Sequence, residues 1–225
     1  MKKLIIGLTG ASGAIYGVRL LEVLKPLKGV ETHLVMSAAA RQTLALETTY
    51  TVKDVQQLAD HNYDSRDIAA AISSGSFRTA GMVIMPCTMK TLSGIVHSYT
   101  DTLVTRAADV VLKEGKKLVL GVRETPLHVG HLRLMVQAAE MGAVIMPPMP
   151  AFYHQPETIQ DIIDQTVNRI LDQFDIELEQ DLFHRWQGEI IFKDNHIVRL
   201  LTFMYFLIYF LLRVALLKML KLIEF

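Results

Sequence analysis

Cysteine is almost absent from this chain of 225 residues: Cys87 stands alone. One thiol closes no disulfide within the chain and builds no cysteine-based zinc site, so a reducing, cytoplasmic setting fits best. Cys87 ends an apolar run, which suits a buried, inert thiol better than a nucleophile. An excess of one charge is also missing. Lys plus Arg and Asp plus Glu number 23 each, so no global field draws the chain to nucleic acid. The opening glycines follow G-x-x-G-x-x-x-G rather than G-x-G-x-x-G, and no Gly-Lys-Ser/Thr ending follows them, which disfavours P-loop chemistry. A signal peptide is not expected either, because the apolar stretch behind Lys2-Lys3 is too short before Gly7 and Thr9. No internal repeat occurs.

What is present begins with Lys3–Leu8, an apolar run of strand length. It empties into Thr9-Gly10-Ala11-Ser12-Gly13-Ala14 and then a helical pattern through Val18, Leu20, Leu21, Val23 and Leu24. A strand, a glycine turn and a helix N-terminus make a ready anion site, since free N–H groups and the helix dipole face the turn. A phosphate-bearing ligand, a nucleotide or a flavin, suits it. A tight turn with glycines for packing alone is the competing explanation.

Further strand-length runs are His33–Met36, Met82–Met85, Leu118–Val122 and Ala143–Met146. Helical patterns over Ala38–Leu46, Leu103–Leu112 and Leu132–Met141 alternate with them. Uninterrupted apolar strands alternating with helices predict an α/β fold: a parallel sheet covered on both faces, in three layers. Ligands of such sheets gather at the carboxyl ends of the strands. The chemically rich residues follow those ends: Thr9–Ser12, Ser37, Pro86–Thr91, Arg123-Glu124 and Pro147–Tyr153. Thr51–Thr79 is polar and weakly patterned, and reads as a helix with a long excursion.

Arg106 and Lys113, seven residues apart, share one helix face with Asp109 nearby; a solvated charged stripe and an anion site both fit. Gln155-Pro156-Glu157 predicts a helix start with proline at the first helical position, running to about Phe174. Arg169 sits at the edge of that helix's apolar stripe, where a guanidinium needs an anion, a carboxylate or a ligand. His61, His97, His128, His131 and His154 have no convincing metal-ligand spacing, so no metal is expected.

Several segments occur together and in order: Thr9–Ala14, Pro86-Cys87-Thr88-Met89-Lys90-Thr91, Arg106-Ala107-Ala108-Asp109, Leu112-Lys113-Glu114, Arg123-Glu124-Thr125-Pro126-Leu127 and Phe152-Tyr153-His154-Gln155-Pro156. Over residues 1–188 the chain resembles the UbiX-like flavin prenyltransferases, including those that partner phenolic-acid decarboxylases. The resemblance implies a single Rossmann- or flavodoxin-like domain and an assembly of twelve copies with sites between subunits. It implies transfer of a dimethylallyl group from dimethylallyl phosphate to N5 and C6 of reduced FMN, giving the cofactor of a separate UbiD-type aromatic-acid decarboxylase.

Carried over by position, Gly10, Ala11, Ser12, Ser37, Thr88, Met89, Lys90, Thr91 and Arg123 would hold FMN. Arg106, Lys113, Tyr153 and Arg169 would hold the phosphate donor. Ser12, Glu47, Lys113, Glu124 and Trp186 would serve catalysis, the carboxylates by handling protons and the indole by facing the prenyl group. Cations stabilise a departing phosphate, an aromatic face stabilises an allyl-cation-like fragment, and a carboxylate accepts the C6 proton. The chain has no Asp-Asp-x-x-Asp, in keeping with metal-independent transfer. Two other functions compete: a non-catalytic flavin-binding subunit of a decarboxylase complex, and a flavin-dependent cysteine decarboxylase. The second is disfavoured because Pro86–Thr91 lacks the asparagine of that class.

Residues 189–225 form a hydrophobic tail with no counterpart in the resemblance. Ile197–Phe225 is apolar at 23 of 29 positions, yet its uncharged stretch, Leu200–Leu212, is 13 residues long. At 1.5 Å per residue that spans about 20 Å, short of the ~30 Å hydrocarbon core. A foreign extension, a helix giving peripheral membrane contact, and a helix packed on the body or on a partner remain open.

Overall fold

The computed structural model describes residues 1–188, 204–205 and 207–209. The greater part of the tail, 189–225, lies outside the described residues. Met1–Arg185 form one compact unit. Among the described residues no helix is long and apolar enough to cross a membrane.

Six parallel strands form one sheet: β1 (Lys2–Leu8), β2 (Val30–Met36), β3 (His61–Asp64), β4 (Gly81–Cys87), β5 (Lys117–Val122) and β6 (Ala143–Ile145), in the order β3-β2-β1-β4-β5-β6. The helices are α1 (Ala14–Leu24), α2 (Ala38–Glu47), α3 (Val52–Leu58), α4 (Met89–Val96), α5 (Leu103–Lys113), α6 (Val129–Glu140) and α7 (Ile159–Gln173). Alternation along β1 divides the core. Leu4, Ile6 and Leu8 pack with α1, α2 and α7, whereas Ile5 joins Met82 and Ile84 under α4, α5 and α6. This is the three-layer Rossmann-type arrangement expected from the apolar runs, all five of which are strands.

Three local differences have physical reasons. The polar stretch 51–79 supplies the expected helix, α3, but its excursion also contains β3, whose sequence His-Asn-Tyr-Asp has no apolar signal. It is a strand because it pairs with β2 at the sheet edge, where solvent covers much of it. Eight residues from Met89 form α4, which the strand-end reading left undescribed; the Thr88 hydroxyl caps it by accepting from the Thr91 N–H. Finally, α7 starts at Ile159 rather than at Pro156. Thr158 and Asp161 close a reciprocal capping box, and Asp161 also accepts from the Glu157 N–H, so the hydrogen bonds set the start.

Candidate active site

The strand order reverses between β1 and β4, and a crevice opens beyond their carboxyl ends. Thr9 ties the two loops there. Its buried hydroxyl donates to the Pro86 carbonyl (2.8 Å) and accepts from the Thr88 N–H (2.9 Å). Gly10 permits α2 to approach: a Cβ at that position would lie 2.4 Å from that of Ala39. Gly13 has φ of 100°, a left-handed conformation that glycine adopts without penalty. These glycines therefore have a packing and backbone role, and Gly10 also lines the cavity beside it.

A cavity of about 860 Å³ occupies the crevice, within the range of small-molecule sites. Gly10, Ser37, Thr88, Lys90 and Thr91 line it, as the sequence suggested. Ser37 and Thr88 are also N-caps of α2 and α4, each accepting from one first-turn N–H (3.1 Å in both). One cap satisfies one donor, so the other first-turn N–H groups of both helices have no partner within their helix. The wall also contains Ser65, Arg66, His97, Thr102 and Thr105, which sequence reasoning missed. Thr102 carried a signal, a threonine directly before a helical pattern. Ser65 carried none; its carbonyl accepts from the Leu103 N–H and so joins the polar excursion to α5. Met89 and Ala11 do not line the cavity. Met89 packs against the core beneath α4, and Ala11 is buried.

A second cluster stands at the N-terminus of α1, where Gly13 has no side chain to cap the helix. Glu47, at the end of α2, does so instead: its Oε2 accepts from the N–H groups of Gly13 (2.8 Å) and Ala14 (3.1 Å). Partial burial by itself would raise the Glu47 carboxyl. Hydrogen bonds from Ser12, Gly13 and Ala14, with the Arg123 charge, outweigh it and hold the group below the ordinary carboxylate value. Burial raises the Tyr16 phenol, partly offset by the Arg123 charge, so Tyr16 stays neutral beside that cation. The Arg123 N–H donates to the Cys87 carbonyl, so the loop after β5 is held against the end of β4. Ser12 and Arg123, from the loops after β1 and β5, and Glu47, from the end of α2, are thus brought together. Glu124 is exposed and accepts from its neighbour's N–H, that of Thr125 (3.0 Å). Cys87 is buried, and burial pushes its thiol up to about 12, in line with an inert role.

The expected phosphate ligands are spread more widely. Gln165, buried on α7, donates to the Tyr153 hydroxyl (3.2 Å), and Arg169 lies one turn further along the same helix face. Arg169 also meets the structural expectation of an ion pair, with Asp172 at 2.9 Å, a carboxylate it shares with Arg185 (2.7 Å). Arg106 pairs with Asp109 (3.4 Å). Lys113 departs from the expected grouping within one chain. It pairs with Glu114 beside Gly75, at the end of α5 that leads directly into β5. Because α5 runs back from the carboxyl rim, the seven residues after Arg106 carry Lys113 about 10 Å down the axis, to the amino edge of the sheet. Trp186 is exposed and lies outside the unit Met1–Arg185, so that unit does not contain the expected indole.

A parallel sheet with hydroxyls, helix N-termini and cations converging at its switch point is the arrangement of an α/β protein that binds a phosphate-bearing ligand such as a nucleotide or flavin. Comparison agrees: the family model described as Flavoprotein matches residues 1–171. The flavin prenyltransferase UbiX of Salmonella typhimurium is 73% identical over 188 residues, 84% of this chain and 100% of the relative. Among solved structures, AnUbiX (PadA1) in complex with FMN and dimethylallyl pyrophosphate matches at a TM-score of 0.80 and 48% identity, covering 84% of this chain and 98% of that one. A dodecameric FMN-dependent UbiX-like decarboxylase from Escherichia coli O157:H7 matches at 0.79 and 56% identity, covering 83% and 100%. The chain belongs to the flavoprotein family, in its branch of UbiX flavin prenyltransferases. Identity across the whole relative favours neither the cysteine decarboxylase nor the non-catalytic subunit.

Proposed function

We propose that the protein joins a dimethylallyl group from dimethylallyl phosphate to N5 and C6 of reduced FMN, without a metal. The observation that carries this reading is the ionised Glu47 held by Ser12 and the α1 N-terminus, two residues beyond the Gly10 wall of a hydroxyl-lined cavity. The cavity suits FMN: its hydroxyls and first-turn N–H groups meet the phosphate, and Lys90 and Arg66 add charge. The complex of AnUbiX with FMN and dimethylallyl pyrophosphate supports the pairing of ligands. Gly10, Ser37, Thr88, Lys90, Thr91 and Arg123 bind the flavin. Glu47, with Ser12, accepts the proton released when the ring closes, and Glu124 is the second carboxylate close to Arg123 in sequence.

Tyr153, Arg169 and Arg106 hold the leaving phosphate, and charge-assisted bonds to it strengthen as the allylic C–O bond breaks. Lys113, at the opposite edge of the sheet, can join them only from a neighbouring copy. The dodecamer of the Escherichia coli O157:H7 relative supports such an assembly. Trp186 faces the prenyl group within it. The product passes to a UbiD-type aromatic-acid decarboxylase, so the role in decarboxylation is indirect. The test is anaerobic incubation with reduced FMN and dimethylallyl phosphate, followed by mass spectrometry. A flavin heavier by one prenyl unit is expected; unchanged FMN overturns the proposal.

A further inference from the structure

Away from the carboxyl rim, Glu31, His33 and His61 form a compact group on one face of the sheet. Alternation along β2 puts Glu31 and His33 on the same side, and the register of β2 with β3 sets His61 directly opposite His33. Glu31 Oε1 lies 3.2 Å from His33 Nε2 and 2.9 Å from His61 Nε2, and the three ligand atoms all lie within 4.8 Å of one another. The His33 side chain is 3% exposed. Its Nδ1 meets the Tyr63 hydroxyl at 3.0 Å, while its Nε2 is buried among these groups without a hydrogen bond of adequate geometry. A buried ring nitrogen left without a partner is costly.

We propose that Glu31, His33 and His61 bind a divalent cation of the zinc class. Two imidazole nitrogens and a carboxylate oxygen supply three of four tetrahedral positions, and water reaches the fourth past the half-exposed His61. Zinc bonds of about 2.0–2.2 Å set neighbouring ligand atoms about 3.3–3.5 Å apart, so small outward shifts accommodate the ion. The His61 ring, stacked on His33 with centroids 4.6 Å apart, turns to present its nitrogen. In the tautomer protonated at Nδ1, His33 donates to the Tyr63 hydroxyl and leaves Nε2 free to ligate. Lys3 Nζ, 3.5 Å from Glu31 Oε1, is the competitor; it is partly exposed and swings clear. His33 lies three residues before the end of β2, about 10 Å from the carboxyl rim. The ion therefore acts structurally, clamping the short edge strand β3 to β2, and takes no part in the transfer.

The test titrates Zn²⁺ into the EDTA-treated full chain by calorimetry, with melting temperature followed in parallel. One saturable equivalent per chain and a raised melting temperature are expected. His61→Ala and Glu31→Gln each weaken that site by at least about tenfold, whereas His131→Ala, at the other close histidine pair, leaves it unchanged. Absence of saturable binding, or the same affinity in His61→Ala and Glu31→Gln as in the unaltered chain, overturns the proposal.

Discussion

Glu47 has two duties that a substitution can separate. As the anion at the α1 N-terminus it caps the helix, and in the proposed transfer it is the carboxylate, beside Ser12, that accepts a proton. Glu47→Gln keeps an acceptor for Gly13 and Ala14 but removes the charge. Stability is expected to fall by about 0.5 kcal/mol in urea unfolding, while turnover in the anaerobic assay falls by about 100-fold or more. The pH dependence has a defined sign. Because its folded value is depressed, the contribution of Glu47 is fully present above the ordinary carboxylate value and is lost as pH falls through the folded value. Unfolding midpoints measured at neutral and acid pH should thus converge for Glu47→Gln and the unaltered chain as the medium becomes acid. Thr9 is the second decisive residue. Thr9→Val leaves the Pro86 carbonyl without its hydroxyl donor and the Thr88 N–H without its acceptor, both at a buried site. A loss of about 1–3 kcal/mol is expected from denaturant unfolding, together with weaker FMN binding as the α4 N-terminus shifts.

Among the elements, α7 carries an ion-pair network and, on adjacent turns, the proposed phosphate ligand Arg169. Arg185 bridges Asp172 and Asp181, while Arg169 takes the outer side of Asp172. Arg185 thus keeps Asp172 paired in the absence of Arg169, and Arg169→Ala is expected to leave stability within about 0.5 kcal/mol. The KM for dimethylallyl phosphate should rise about 10- to 100-fold, the worth of one charge-assisted bond, with FMN affinity unchanged in a flavin fluorescence titration. Equal loss of both would make Arg169 a purely structural residue. The α5 helix spans the sheet from rim to rim and so separates Arg106 from Lys113, two cations that sequence spacing had joined on one face. Periodicity reports the face of a helix and says nothing of which end meets the ligand.

For the molecule as a whole, the Salmonella relative aligns in full with 188 residues of this chain. A chain cut back to residues 1–188 is expected to fold and to prenylate FMN at the full rate, which size-exclusion chromatography and the mass-spectrometric assay check together. Added EDTA should leave that rate unchanged, since the proposed cation site at Glu31, His33 and His61 is remote from the carboxyl rim. Strong inhibition would contradict metal-free transfer.

The amino-acid sequence by itself determined the alternation of apolar strands and amphipathic helices, and with it the parallel, twice-covered sheet and the ring of Thr9, Ser37, Thr88 and Arg123 at its carboxyl ends. These were legible because burial of whole strands and capping of helix starts leave local patterns. Tertiary structure alone decided that His-Asn-Tyr-Asp is a strand, that Ser65 and Arg66 wall the cavity, and that Glu47 caps a helix 33 residues earlier in the chain, at Ala14. It also set His33 against His61. In each case the deciding interaction is a pairing or hydrogen bond between distant segments. Such contacts leave no periodic trace, because they depend on the register of the sheet rather than on the residues that flank them.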